Sequence, residues 1–228
     1  MKKSTCIECK TSNCFIKFCS DEWLNKLESQ KQTCEYKKDH NIVYEGDEVL
    51  GLYFIKEGKA KVYSTGLNEK KQVVRLAKMG EIIGHRGYGG EVYPIGASVL
   101  EDSIICFFDN RVIYKAFMNN PKLTCELMMY YSKELRSSEG KIKKLAQMNV
   151  REKVIEGLLY SKKIYNQNDQ GETVINIERQ DLADLIGINT EQLSRSLSEL
   201  KKEGSVSLAR NQITIKKEKV LAQIISQF

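Results

Sequence analysis

At 228 residues, 41% hydrophobic and 29% charged, the chain is long enough for one large or two modest domains and ordinary for a globular protein. Its formal charge of +6 suits a nucleic-acid partner without demanding one. No apolar run approaches the ~18 residues of a membrane span, and MKKSTCIECK lacks the apolar stretch of a signal peptide, so a cytoplasmic protein without a membrane partner is expected. Residues 1–20 form a cysteine-rich arm holding Cys6, Cys9, Cys14 and Cys19, four of the seven cysteines. Such thiols read as reduced groups or metal ligands before disulfides. The arm has little hydrophobic period and is expected to be loop with at most a short helical turn. Ser20 then suits an N-cap for a helix to about Gln30, with Trp23, Leu24 and Leu27 inward.

From about Thr33 to Asp109 the texture changes. Ten of fifteen glycines lie between Gly46 and Gly96, punctuating short alternating segments at 51–58, 61–65, 72–76, 95–100 and 103–108. Short strands with glycine turns predict an antiparallel sandwich or rolled barrel. With the helix before it, this domain is placed at residues 21–118.

Helical period then takes over, and residues 119–148 are assigned to one long helix. Met128, Tyr131, Leu135, Ser138, Ile142 and Leu145 recur at spacings of three and four, an apolar seam broken at Ser138. A second copy of the chain is the economical partner for such a seam, giving a twofold homodimer; packing on its own β domain is the alternative. Residues 111–144 are also markedly basic, with eight Lys or Arg against three Glu.

Residues 149–228 form the last domain. Its 12 Lys or Arg against 11 Asp or Glu give only +1, so DNA binding there must rest on where the charges sit. Helical pattern at 150–163 is followed by the polar loop NQNDQGE and a short strand at 174–177. In ERQDLADLIGINTEQLSRSLSELKKEG, Leu182, Leu185 and Ile186 make one apolar stripe. Gly187 can end that helix in the left-handed region, and Asn189 with Gln192 suits a capping box for the next. Leu193, Leu197 and Leu200 bury the second helix, leaving Thr190, Glu191, Ser194 and Arg195 outward near its start. A helix-turn-helix presents that part of its second helix to base edges. Arg can pair bidentately with guanine and Glu can accept from a cytosine amino group. Arg179, opening the first helix, joins these DNA-binding candidates. Val206–Leu208 and Gln212–Ile215 flank Ala209-Arg210-Asn211, a hairpin whose Arg210 could reach a phosphate. A closing helix spans 216–228. No Ser/His/Asp or Walker-type constellation appears, and only two histidines are present, so no enzyme is expected. Cys6-Ile-Glu-Cys9 precedes any strand, unlike a thioredoxin motif.

The order of β domain, long helix and winged helix resembles the Crp/Fnr family of bacterial transcription regulators over nearly the whole chain. IVYEGDEVLGLYFIKEGKAKVY, LAKMGEIIG and RQDLADLIGINTEQLSRSLSELKKEG carry the resemblance. It implies an α+β fold: a cyclic-nucleotide-binding-like β-roll, a dimerisation helix and a C-terminal winged helix-turn-helix. It further implies a homodimer on a palindromic double-stranded DNA site, read through Glu191, Ser194 and Arg195, with RNA polymerase as a partner if the protein activates.

What the β-roll senses is then the question. Nucleotide-binding members use a glycine–glutamate pair and a later Arg-Ser or Arg-Thr. Here His85 follows Gly84, no such Arg pair occurs in HRGYGGEVYPIGASVL, and Arg86 falls too early. A phosphate buried without paired cations or donors is costly, so cyclic AMP is expected to bind poorly or not at all. His85 itself reads as a polar loop residue. The arm instead resembles Fnr-type oxygen sensors, which hold a [4Fe–4S] cluster on three N-terminal cysteines and one from the β domain. Cys6, Cys9 and Cys14 with Cys106 match that pattern, and four thiolates are what such a cluster requires. Four residues separate Cys9 from Cys14 where the resembled pattern has five, so Cys19 stands as an alternative ligand. The implied mechanism is that an intact cluster favours the DNA-binding dimer and oxygen destroys it. A zinc site, a thiol–disulfide switch, haem on His85 or His40, another small ligand, and a cofactor-free arm are the other readings. Cys34 and Cys125 are expected to be plain thiols.

Overall fold

The computed structural model describes residues 5–226; the first four residues of the expected arm and the last two of the closing helix lie outside them. Two compact units form. The first runs to Lys70 and resumes from Arg75 to Arg136; the second takes Lys71–Val74 and the chain from Ser137 onward.

In the first unit, a 3₁₀ turn at Phe15–Phe18 precedes helix α1 (Asp21–Gln30). The Ser20 side chain accepts from the Trp23 amide, and Asp21 and Glu22 lie in the first turn, where the helix dipole favours anions. Eight strands follow: β1 (Gln32–Tyr36), β2 (Asn41–Val43), β3 (Gly51–Glu57), β4 (Lys59–Thr65), β5 (Lys71–Lys78), β6 (Ile82–Ile83), β7 (Gly96–Val99) and β8 (Ser103–Asp109). They make two four-stranded sheets, β1-β8-β3-β6 and β2-β7-β4-β5. The five expected strands are all present. β1, β2 and β6 are additions, and β1 is nearly all exposed, which is why Gln-Thr-Cys-Glu-Tyr shows no apolar alternation.

Strand alternation sends residues to opposite faces of a sheet. Leu52 and Phe54 of β3 and Phe108 of β8 thus share a face, covered by Leu24 and Leu27 of α1. Helix α2 (Asn110–Asn119) adds Ile113, Ala116 and Phe117 to this core, and α3 (Pro121–Gln147) adds Leu123 and Leu127. Ile55 and Ile105, opposite each other in register, point to the other face and are fully buried. Cys106 sits two residues before Phe108 and opposite both Thr33 of β1 and Phe54 of β3, so its side chain falls on the helix-covered face.

The second unit holds α4 (Val150–Ser161), β9 (Val174–Asn176), α5 (Arg179–Ile186), α6 (Thr190–Lys202), β10 (Val206–Ala209), β11 (Gln212–Ile215) and α7 (Glu218–Ile224). The strands form one antiparallel sheet, β10-β11-β9. Leu182, Leu185, Ile186, Leu193, Leu197 and Leu200 are all buried, as their spacing predicts. Gly187 ends α5 at φ 66° and ψ 43°, a left-handed conformation that would strain any side chain with a Cβ. The fold is therefore a β-roll with helices, followed by a winged helix-turn-helix.

Candidate sensor pocket and nucleic-acid interface

The arm is anchored by its own apolar residues. Phe15 and Ile16 are buried in the core between the sheet and α1. Polar tethers fix the rest: the Cys6 amide donates to Glu28 Oε2 at 2.7 Å and Lys17 Nζ to the Cys9 carbonyl at 2.6 Å. Thr11 donates to the Lys56 carbonyl at 3.2 Å, and Asn13 to that of Met79 at 3.3 Å. Together these hold Cys6, Cys9 and Cys14 against Cys106 around one pocket, whose walls include Lys17, Lys31 and Lys56 with Phe54 and Phe108. The space is about 440 Å³, counting its open mouth. Cys19 is not part of the lining. It is buried in the apolar core with Leu24, Leu27 and Phe117, and so stands apart from the other three arm cysteines.

All seven cysteines are free thiols. Burial, helped by Glu28, pushes Cys6 up to about 12. Burial pushes Cys14 up to about 11 and also raises Cys106. At Cys9 burial is outweighed by hydrogen bonds with Thr11 and by Lys56 and Lys17, and its pKa falls. Cys6, Cys14 and Cys106 are thus mostly protonated when nothing is bound, and poor nucleophiles, while Cys9 is the more acidic of the set. Binding of a metal centre must displace those protons, and the three lysines oppose the negative charge that four thiolates bring. Among the described residues, no three His, Cys, Asp or Glu side chains converge as a single metal ion needs. Four thiols lining one space are a donor set of the kind and number that a [4Fe–4S] cluster takes.

His85, expected as a polar loop residue, is a buried one. It follows Gly84 (φ 83°) in a 3₁₀ turn, is 1% exposed, and its Nε2 lies 2.8 Å from Glu134 Oε2. Arg75 and Arg86 pair with the same carboxylate. Desolvation lowers the His85 pKa. Glu134 is held down at about 2: its burial works against this and is overcome by the His85 hydrogen bond and the charges of Arg75, His85 and Arg86. Sequence reasoning missed Arg75 and Glu134, which are 59 positions apart and carry no motif. His40, the other histidine, is exposed at a turn before β2.

Along α3, Met128, Leu135 and Ile142 are 69%, 62% and 67% exposed. Seven residues apart, they make a single row on the helix surface. Tyr131 does not join it: its ring lies 5.4 Å from that of His85 and its hydroxyl donates to the His85 carbonyl. Ser138 and Leu145 are half-buried, with Leu145 beside Gly187.

In the second unit the capping box forms as its sequence predicts. Asn189 Oδ1 accepts from the Gln192 amide at 2.8 Å, and Gln192 Oε1 from the Asn189 amide at 3.3 Å. This fixes where α6 begins and so which residues turn outward. Glu191 and Arg195 are each 73% exposed and pair with each other across one turn. Ser194 is exposed and donates back to the Thr190 carbonyl at 2.8 Å; Thr190 is half-buried. Arg210 sits exposed at the tip of the β10–β11 hairpin. Arg179 is half-buried, with one guanidinium nitrogen lacking a partner and its pKa lowered by burial.

Comparison with known proteins agrees with this architecture. Residues 33–120 match the cyclic nucleotide-binding domain model, and residues 152–224 the Crp-like helix-turn-helix domain model. The fumarate and nitrate reduction regulatory protein of Vibrio cholerae is 26% identical over 92% of this chain and 86% of its own length. That of Escherichia coli K12 is 24% identical over 96% and 89%. The structure of FixK2 from Bradyrhizobium japonicum superposes with a TM-score of 0.76 at 21% identity, covering 85% of this chain and 96% of FixK2.

Proposed function

This chain belongs to the Crp/Fnr family of DNA-binding transcription regulators and is not an enzyme, and from that premise we propose that it is an oxygen- or redox-responsive regulator, acting as a cytoplasmic homodimer on a palindromic DNA site. The observation that carries the sensing reading is the convergence of Cys6, Cys9, Cys14 and Cys106 on one lysine-walled pocket, with Cys19 left in the core. These four would hold a [4Fe–4S] cluster, which supplies an oxygen-labile centre when bound. The chain's own part is to keep the ligands gathered. Glu28 and Lys17 tie down the backbone at Cys6 and Cys9, and β8 presents Cys106 from the sheet. Cyclic AMP has no place in this scheme, because His85 stands at the expected glutamate position and is already committed to Glu134.

The output end follows from the second unit. Arg195, Glu191 and Ser194 read base edges, their mutual pair giving way to bases in the groove, while Thr190, Arg179 and Arg210 serve the backbone and the flanks. Met128, Leu135 and Ile142 pair with the same row of a second copy, which sets two reading helices about one DNA turn apart. RNA polymerase is the further partner where the protein activates. The test is an electrophoretic shift assay with paired half-sites, run without oxygen and after exposure to air. Binding that weakens on exposure in the wild type, and is weak throughout in Cys106→Ala, is the expected result. Equal binding by both proteins with and without oxygen would refute the sensing role while leaving the DNA-binding role intact.

A further inference from the structure

Glu134 occupies a seat that looks built for a free anion. Its Oε1 lies 2.9 Å from Arg75 Nε, and its Oε2 lies 2.8 Å from His85 Nε2 and 3.2 Å from Arg86 Nε. The seat is deep: the side chains of Arg75, His85 and Glu134 are 11%, 1% and 12% exposed. It is also rigid on the roll side. Arg75 donates to the Ile82 carbonyl at 2.8 Å and pairs with Glu81 at 3.1 Å. Two guanidinium groups and an imidazole converging in a half-dry site are how proteins hold carboxylates and phosphates. Left empty, the seat would take a carboxylate away from Arg86 and His85 and leave Arg75 to Glu81, which is costly for groups this buried. The His85 Nδ1 atom is buried without a partner, so the carboxylate is what fixes the proton on Nε2.

The occupant comes from α3, flanked by Tyr130 one turn earlier and by Tyr131. Tyr130 accepts from Arg75 at 2.9 Å and packs edge-on to the His85 ring at 5.3 Å. We propose that Glu134 is the sensor unit's built-in anionic ligand, its carboxylate filling the cationic seat of Arg75, His85 and Arg86 and clamping the first half of α3 to the roll without any bound molecule. The seat is distinct from the cysteine pocket, sharing no lining residue with it, and the inference stands whatever that pocket holds. α3 is one unbroken helix whose first part belongs to the sensor unit and whose last part belongs to the DNA-binding unit. Whether the seat is filled therefore decides how firmly residues 121–136 are fixed.

The experiment is amide hydrogen exchange on full-length Glu134→Ala, in chloride and in formate at equal ionic strength. Exchange across residues 121–136 is expected to speed up by at least about tenfold, since the helix has lost its charged tie to Arg75, His85 and Arg86, while β3 and β8 keep their protection. Formate, which restores a carboxylate to the seat, is expected to slow the exchange again. Unchanged exchange in residues 121–136 overturns the proposal, as does a loss spread evenly over the roll that formate does not reverse. Should the alanine variant fail to fold, Glu134→Gln keeps the shape and removes the charge. Faster exchange confined to residues 121–136 then supports the clamp, and wild-type exchange overturns it.

Discussion

The sensor unit carries two clusters of ionisable groups, and they differ in what balances them. Around Glu134 the chain supplies both signs: a carboxylate held near pKa 2 sits among two arginines and a histidine. Around Cys106 it supplies four thiols, three of them raised by burial, and three lysines, of which Lys31 is paired with Glu28 at 2.6 Å. The first cluster is complete as folded, and its work is to hold α3. The second gathers four free thiols around a space that a bridging group could fill.

That contrast can be broken at several points, the largest first. Cys106→Ala is expected to abolish iron and sulfide incorporation, whereas Cys19→Ala retains both and costs only stability, as loss of a small buried group does; iron analysis of the two purified proteins reads the difference. Removing Glu134 from the closed cluster should cost about 3–5 kcal/mol, the usual penalty for orphaning a buried charge, measured by urea denaturation of Glu134→Ala. The sign with pH follows from its depressed pKa. An unfolded glutamate titrates near ~4.3, so Glu134 stabilises the fold fully above that value. Its contribution fades as pH falls towards about 2, and the loss should be absent in Glu134→Gln.

Smaller effects test the output end. Leu135→Asp places a charge in the exposed row and should shift the chain towards monomer in sedimentation; an unchanged association state would remove the row from the dimer account. Arg195→Ala should lose about 1–3 kcal/mol of discrimination at one base pair, against a nearly uniform loss for Arg210→Ala. Replacing the cap in Asn189→Ala should cost about 1 kcal/mol of thermal stability, with base preference unaltered if α6 keeps its start.

The same division explains what could be read from the chain. The reading head was legible because its determinants are local: Gly187, Asn189 and Gln192 act within five residues, and the leucines of α5 and α6 follow one helical period. The cysteine spacing was legible for the same reason. That Cys14 rather than Cys19 lines the pocket was not, because it depends on Phe15 and Ile16 anchoring the arm so that Cys19 falls into the core beside α1. Tyr131 fitted the seam by spacing, yet it faces the roll, since a period of three and four does not say which of two apolar surfaces a tyrosine meets. Arg75 and Glu134 meet only because β5 and α3 pack together, and the burial of His85 is hidden from the sequence because its partners lie ten and forty-nine residues away. Pairings of that kind are written in tertiary register, not in any window of sequence.

What fills the cysteine pocket decides the sensing role most directly. Protein purified without oxygen should be assayed for iron, acid-labile sulfide and zinc per chain, with Cys19→Ala and Cys106→Ala in parallel. Stoichiometric iron and sulfide in the wild type and in Cys19→Ala, lost from Cys106→Ala and on exposure of the wild type to air, is the predicted result. Metal-free protein that binds its palindromic site equally well with and without oxygen would contradict it.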